Sequence, residues 1–236
     1  VSMVNNGTIS IGRSAQRNLT DVSEDVAVDW VGVTGVAVTN ANFTNNGDIT
    51  TGALTHGVTA IKSVGGTVNQ AGTITINSAY SPEGKVPAQS IAMDVWVFSQ
   101  AENSGTITLN GVNGVGMNVR ERAEATNSGT IVVAQGIDGQ SKTPNYGIVS
   151  QGKGAKATLT GNVDLTGDGA IGVYVKEGGV AAVDGGNVNF VSGVNQTGYV
   201  IHGADSSITN SHSVQSVSTD GSTLYRISGG AAYAAA

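Results

Sequence analysis

The side chains able to do chemistry are thinly spread in this chain. Its three histidines, His56, His202 and His212, stand in unrelated contexts, at no spacing that makes a metal triad, and read as structural. Asp164, Asp168 and Asp184 are the carboxylates to weigh for acid–base work. Cleaving a glycosidic bond takes two carboxylates about 5 to 9.5 Å apart, and Asp164 and Asp184 are placed to project from successive repeats. Asp164 nevertheless sits in NVDLTGDG, at an outward alternation position beside a turn, and reads as a solvated turn carboxylate. LTGDGAIG and VDGGNVNF contain Asp-Gly pairs but not the GGxGxD repeat that ligates calcium. DGQSK and GKGAKA are not phosphate loops of the GxxxxGK[ST] kind, and no GxSxG elbow occurs. Cys is absent. No catalytic residue, metal or cofactor is assigned.

Aromatic residues are the better lead because they are scarce, at 5% of the chain. Trp30, Tyr80, Trp96, Phe98 and Tyr146 are the candidate binding residues, with Tyr174 a further candidate for the same corner. In IAMDVWVFS, Trp96 and Phe98 share one alternation face with Ala92 and Asp94, while Ile91, Met93, Val95 and Val97 share the other. If the aliphatic face is the core, the two aromatics point outward. Exposed, they would mark a site for a sugar or a protein. Alternatively, segment 77–90 folds over them, and covering is the weightier of the two readings.

What must position these residues is a repeat. VNNGTISIG from Val4 returns as TNNGDITTG from Thr44, NQAGTITIN from Asn69, ENSGTITLN from Glu102, TNSGTIVVA from Thr126 and TNSHSVQSV from Thr209. Weaker copies are LTGNVDLTG from Leu159 and DGGNVNFVS from Asp184. Aligned on Gly7, Gly47, Gly72, Gly105, Gly129, Gly161, Gly186 and His212, the gaps are 40, 25, 33, 24, 32, 25 and 26 residues. Self-similarity at such a period means a solenoid.

Each repeat holds three strand-like pieces. In the first, as in Thr106-Ile107-Thr108-Leu109, Ile and Leu face one way and Thr the other. The glycine before it suits a turn of positive φ, and the Asn two places earlier can bond a bent backbone. The second is a Gly-Val or Gly-Ile piece such as GVAV from Gly35, GVGMNV from Gly114 or IGVYV from Ile171. The third, such as ANFTN from Ala41 or EATNS from Glu124, leads back to the first. Three strands per coil predict an all-β, triangular parallel β-helix of about eight coils over 1–236, stacked about 4.8 Å apart. Positions 9 and 11, 49, 74 and 76, 107 and 109, and 131 and 133 should form apolar columns. Asn5, Asn45, Gln70, Asn103, Asn127 and Asn210 should align as a structural amide ladder. Insertions at 13–31, 77–90 and 134–145 follow the first strand of alternate coils, so they should gather on one face, often the binding face of a solenoid.

A net charge of −6 with no Lys or Arg run argues against nucleic acid as a partner. No stretch approaches the ~20 apolar residues of a membrane helix. The absence of Cys fits an exported protein that crosses an envelope unfolded, and a cytosolic protein can lack Cys as well. Without an initial Met or a leader-like stretch, the chain reads as a mature product or an excised piece.

At NNGTISIG, ENSGTITLNG and TNSGTIVVAQG, each followed by strands such as GVGMNV or IGVYV, the chain resembles the passenger domains of autotransporters, the type V secreted proteins of Gram-negative bacteria. The likeness spans nearly all of residues 1–228. It implies a right-handed β-helix exposed at or released from the cell surface, exported through the outer membrane by a C-terminal β-barrel translocator, the sequence itself holding no barrel-like segment. It implies a non-enzymatic adhesin that binds a host or matrix protein or glycan, or associates with itself in autoaggregation and biofilm. The family's Gly-Asp-Ser-Gly protease motif is absent. A carbohydrate-active enzyme on the same scaffold, or the β-helical stalk or binding part of a secreted toxin, are the alternatives.

Overall fold

The computed structural model describes residues 1–12, 32–80, 86–137 and 143–236. They form strands and turns with no helix among them. The backbone winds through three parallel sheets of nine, seven and eight strands. The first sheet stacks Ser2–Asn5, Asn42–Asn45, Thr67–Gln70, Gln100–Asn103, Glu124–Asn127, Lys156–Leu159, Val180–Asp184, Ser207–Ser211 and Ala232–Ala235. The second stacks Thr8–Ile11, Asp48–Thr51, Thr73–Ile76, Thr106–Leu109, Thr130–Val133, Asn162–Leu165 and Asn187–Phe190. The third stacks Thr34–Thr39, Thr59–Val64, Ser90–Val95, Gly114–Val119, Tyr146–Gln151, Ile171–Lys176, Thr197–His202 and Thr223–Ser228. The first seven turns visit the sheets in this order, the eighth passes from Ser207–Ser211 to Thr223–Ser228 without a second-sheet strand, and successive turns pair with each other. The result is the expected right-handed parallel β-helix of about eight coils with three strands each.

The inward columns follow the alternation. In the second sheet Ile49, Ile74, Ile107, Ile131, Val163 and Val188 lie in one register, each no more than 2% exposed. Beside them run Ile76, Leu109, Val133, Leu165 and Phe190. Burying each such side chain is worth about 1.5–3 kcal/mol. One coil alone would leave this face wet, and stacking makes the core continuous. Thr51 interrupts the second column and is satisfied by Ser78 Oγ at 2.8 Å.

The turn glycines work differently from the sequence expectation. Gly47, Gly72, Gly105, Gly129 and Gly161 are not among the residues of positive φ. A Cβ on Gly105 would lie 2.0 Å from the carbonyl oxygen of Gly72, and one on Gly72 would lie 2.1 Å from that of Gly47. Each corner is nested on the one before, and close approach rather than handedness demands glycine. His212 does not belong to this column. Asp184 pairs with Ser211, so His212 falls opposite Gly185, and both have positive φ, 60° and 75°.

Asn5, Asn45, Gln70, Asn103 and Asn127 share one inward register of the first sheet. Asn5 Nδ2 donates to Asn45 Oδ1 at 2.8 Å, Asn45 Nδ2 to Gln70 Oε1 at 2.6 Å, and Asn103 Nδ2 to Asn127 Oδ1 at 2.8 Å. The link from Gln70 to Asn103 is missing. The longer Gln70 side chain turns its amide to Gly72 O at 2.9 Å, and among the described residues Asn103 Oδ1 has no donor. Leu159 and Val183 then fill the column, so Asn210 stands apart and bonds Ser213 instead. The six amides are therefore not one ladder.

Candidate functional site

The third sheet departs from simple alternation, and that makes its outer face unlike the others. Its inward residues are pairs such as Met93 and Val95 or Met117 and Val119. Before each pair stands a small residue pressed against the second sheet. A Cβ on Gly116 would sit 3.0 Å from Ile131 Cγ2, and one on Gly147 would sit 2.7 Å from Val163 Cγ1. The residue ahead of this bend escapes the core. Ile91, read from the sequence as part of the core face, joins Val115 and Val149 in a separate cluster with Tyr146 and Tyr174.

Along the same face Lys62, Asp94, Asn118, Val149 and Tyr174 lie in one register over five coils. Asp94 is only 4% exposed although it points outward. Trp96 Nε1 donates to its Oδ2 at 2.8 Å, Asn118 Nδ2 to its Oδ1 at 3.1 Å, and Arg120 grips it through Nε at 2.8 Å and Nη2 at 3.2 Å. A forked guanidinium pair of this kind is strong and fixes orientation. The Arg120 guanidinium lies 4.2 Å from the centre of the Trp96 ring, and Lys62 Nζ lies 4.4 Å from it. The indole is thus held between two cations and a carboxylate. Gln151 Nε2 extends the network by donating to Asn118 Oδ1 at 2.7 Å.

Beyond it, the rings of Tyr146 and Tyr174 stack with centroids 5.6 Å apart, and Lys176 Nζ stands 5.5 Å from the Tyr174 ring. Burial, with Tyr174 beside it, pushes the Tyr146 phenol above its ordinary pKa. Gln89, Arg120, Tyr146, Gln151, Tyr174 and Lys176 frame a cleft of about 210 Å³. A neighbouring hollow of about 470 Å³ adds Trp96, Glu121 and Glu177 and shares Arg120 and Gln151 with the first. Among the described residues neither Lys62 nor Lys176 has an ion-pair partner. The arrangement offers flat apolar rings beside amide, cationic and carboxylate groups.

Of the residues singled out from the sequence, Trp96 and Tyr146 come together here, on either side of Arg120 and Gln151. Trp96 is half-buried under Lys62 and Arg120, and Gln89 of segment 77–90 lines the cleft, while residues 81–85 of that segment are outside the described residues. Phe98 does not share its face. The strand ends at Val95, the chain turns with Ser99 N bonded to Trp96 O at 3.0 Å, and Phe98 sits at the corner with φ 60° and 70% exposed. Tyr80 lies elsewhere, its ring 5.6 Å from that of His56. Trp30 and insertion 13–31 are outside the described residues.

The acid–base candidates are scattered. Asp164 lies on the second sheet and accepts from Asn189, while Asp184 ends a first-sheet strand and meets His212 Nδ1 at 2.7 Å. Among the described residues no three His, Asp or Glu gather as a metal site. Sequence reasoning passed over Lys62, Arg120, Gln151 and Lys176, although each holds the outward place in or just after a Gly-Val or Gly-Ile strand. It also passed over Glu102 and Glu124, which line a groove of about 280 Å³ on the first sheet with Lys156.

No family model, no curated protein and no solved structure matches this chain.

Proposed function

We propose that this chain is a non-enzymatic binding passenger of a bacterial surface protein, an adhesin that attaches cells to a host or matrix component or to each other. The observation that carries the reading is the outer face of the third sheet. On a rigid repeating body, this one face gathers Trp96, Tyr146, Tyr174, Arg120 and Lys176 around open clefts. Aromatic and Arg side chains are the ones that dominate binding energy at recognition surfaces. Export through an outer membrane by a β-barrel translocator belongs to the same reading and rests on the repeat's likeness to autotransporter passengers.

The test is display. The chain is placed on a non-aggregating bacterium through a neutral barrel, and settling and attachment to matrix proteins and glycans are scored. Display is expected to cause clumping or attachment, and a Tyr146→Ala/Lys176→Ala variant that still folds by circular dichroism should lose it. A folded, displayed chain that neither clumps nor attaches would sink the proposal.

A second reading, hydrolysis of a polysaccharide, is favoured by one feature only. Glu102 and Glu124 stand on adjacent parallel strands one alternation step apart and line the same groove. Release of reducing ends that disappears in Glu102→Gln would establish it.

A further inference from the structure

The charge on the third-sheet face is the reverse of that on the chain. The whole sequence carries −6. The outward places of the second sheet hold Asp48 and Asp164 and no cation. Those of the third, with the residue that follows a strand, hold Lys62, Arg120, Lys176 and Arg226 against Asp94, which Arg120 neutralises, while Glu121 and Glu177 stand at the rim. These cations are also regularly placed. Counting coils from Ser2, Lys62 lies in the second, Arg120 in the fourth, Lys176 in the sixth and Arg226 in the eighth. Arg120 aligns with Gln151, and Gln151 with Lys176, so the two central cations share one column, two coils apart. Two coils advance about 9–10 Å, close to the length of an extended disaccharide.

From this geometry we infer that the third-sheet face binds a linear acidic polysaccharide carrying one carboxylate on every second sugar, laid along the helix axis. The inference rests on the adhesin reading and names its ligand class. One acidic sugar enters the 210 Å³ cleft, its ring against the Tyr146–Tyr174 pair and its carboxylate toward Lys176, and the next acidic sugar, two coils away, turns its carboxylate toward Arg120. That volume is below the ~300–1,000 Å³ of sites enclosing a drug-sized ligand, as expected for a cleft holding one ring of a longer chain. The wider hollow spans the same coils and runs beside the cleft, so Glu121 and Glu177 flank the chain there, accept hydroxyls of the intervening neutral sugar and repel a carboxylate. Gln89 and Gln151 supply neutral contacts that a simple cationic surface would lack.

The experiment is calorimetric titration of the whole chain with a hyaluronan decasaccharide, with dextran of similar length as the neutral control and single-stranded DNA as the control for charge alone. Hyaluronan should bind and weaken with added salt, while dextran and DNA should not bind. Lys176→Ala should weaken binding about tenfold, Lys62→Ala less, and Thr75→Ala on the second sheet not at all, each variant keeping its circular dichroism and melting. Hyaluronan held no better than dextran, DNA held equally well, or an unaffected Lys176→Ala would each overturn the inference. If displayed cells attach and free hyaluronan does not compete, the ligand class is wrong and the adhesin reading stands. If hyaluronan binds and displayed cells never attach, the ligand class stands and adhesion falls.

Discussion

The outer faces of the second and third sheets are built on the same parallel ladder, yet they carry opposite kinds of information. On the second sheet Thr73, Thr106 and Thr130 follow one another in one column, and Thr50, Thr75 and Thr108 in the other. Over these coils each restates the last. On the third sheet one column reads Lys62, Asp94, Asn118, Val149, Tyr174 and Val200. No coil there repeats its neighbour. The inward columns and the nested corners are what make the body a helix, and they leave outward positions unconstrained. Where the outside repeats, Thr suits a half-buried pleated surface and pairs with itself across strands. Where it stops repeating, the parallel ladder does not dictate the choice.

The contrast can be broken most severely at its support. Gly105→Val places side-chain carbon against the Gly72 carbonyl, and the nested corner has no room to relax. A loss of about 3 kcal/mol, read by denaturant unfolding, is expected. A smaller loss would mean that the corners are looser than their spacing indicates. Next comes Asp94→Ala, which strips the partner from Arg120, Trp96 Nε1 and Asn118. Because Arg120 is one-third exposed, water takes up part of the loss, and about 1–3 kcal/mol is expected. Tryptophan emission should shift to the red as the indole is released.

Alkali separates the two sheets further. The described strands of the second sheet contain no Tyr, whereas Tyr199 and Tyr225 lie stacked inside the third, 5.2 Å apart. Burial raises both phenols above their ordinary pKa, with neighbouring tyrosines adding to it. The folded state keeps these protons longer than the unfolded chain, so their contribution is intact below about pH 10. It is lost as pH climbs through the raised values. Melting temperature should fall above pH 10, and Tyr199→Phe should blunt the fall; an unchanged alkaline slope would remove the phenols as its cause. The smallest effect belongs to Thr108→Ala, one hydroxyl among many, which should change stability by no more than about 0.5 kcal/mol. A larger change would show that the repeating face is not the neutral surface it resembles.

Much of the body could be read from the residues. The Ile and Leu alternation located the second sheet, and the Asn-x-Gly spacing located the corners. The reason for the corner glycines could not be read, because a close approach between coils leaves no mark in one coil's sequence. Trp96 was placed with Phe98 because alternation was carried through a turn that the sequence does not announce. The Lys62, Trp96 and Arg120 assembly was invisible for a deeper reason. Its members come from three coils, and only the inter-coil register, which depends on insertion lengths as well as on the repeat, sets them against each other. Asn210 was misjudged because Leu159 and Val183 occupy the same column without sharing the motif.

The order of pairing has a mechanical consequence. Every coil is held to its neighbours by hydrogen bonds that run along the body's axis, so tension applied between the two ends loads them one rung after another. The molecule should therefore peel rather than yield at once. Each rupture frees the chain between partners in adjacent coils. That is 40 residues from Asn5 to Asn45, 25 from Asn45 to Gln70 and 24 from Asn103 to Asn127. At about 3.4 Å of contour length per residue, these steps release about 136, 85 and 82 Å. A force–extension trace would then show unequal teeth, longer where an insertion interrupts the coil. Such a body would absorb work under load in small instalments while its remaining coils stay wound.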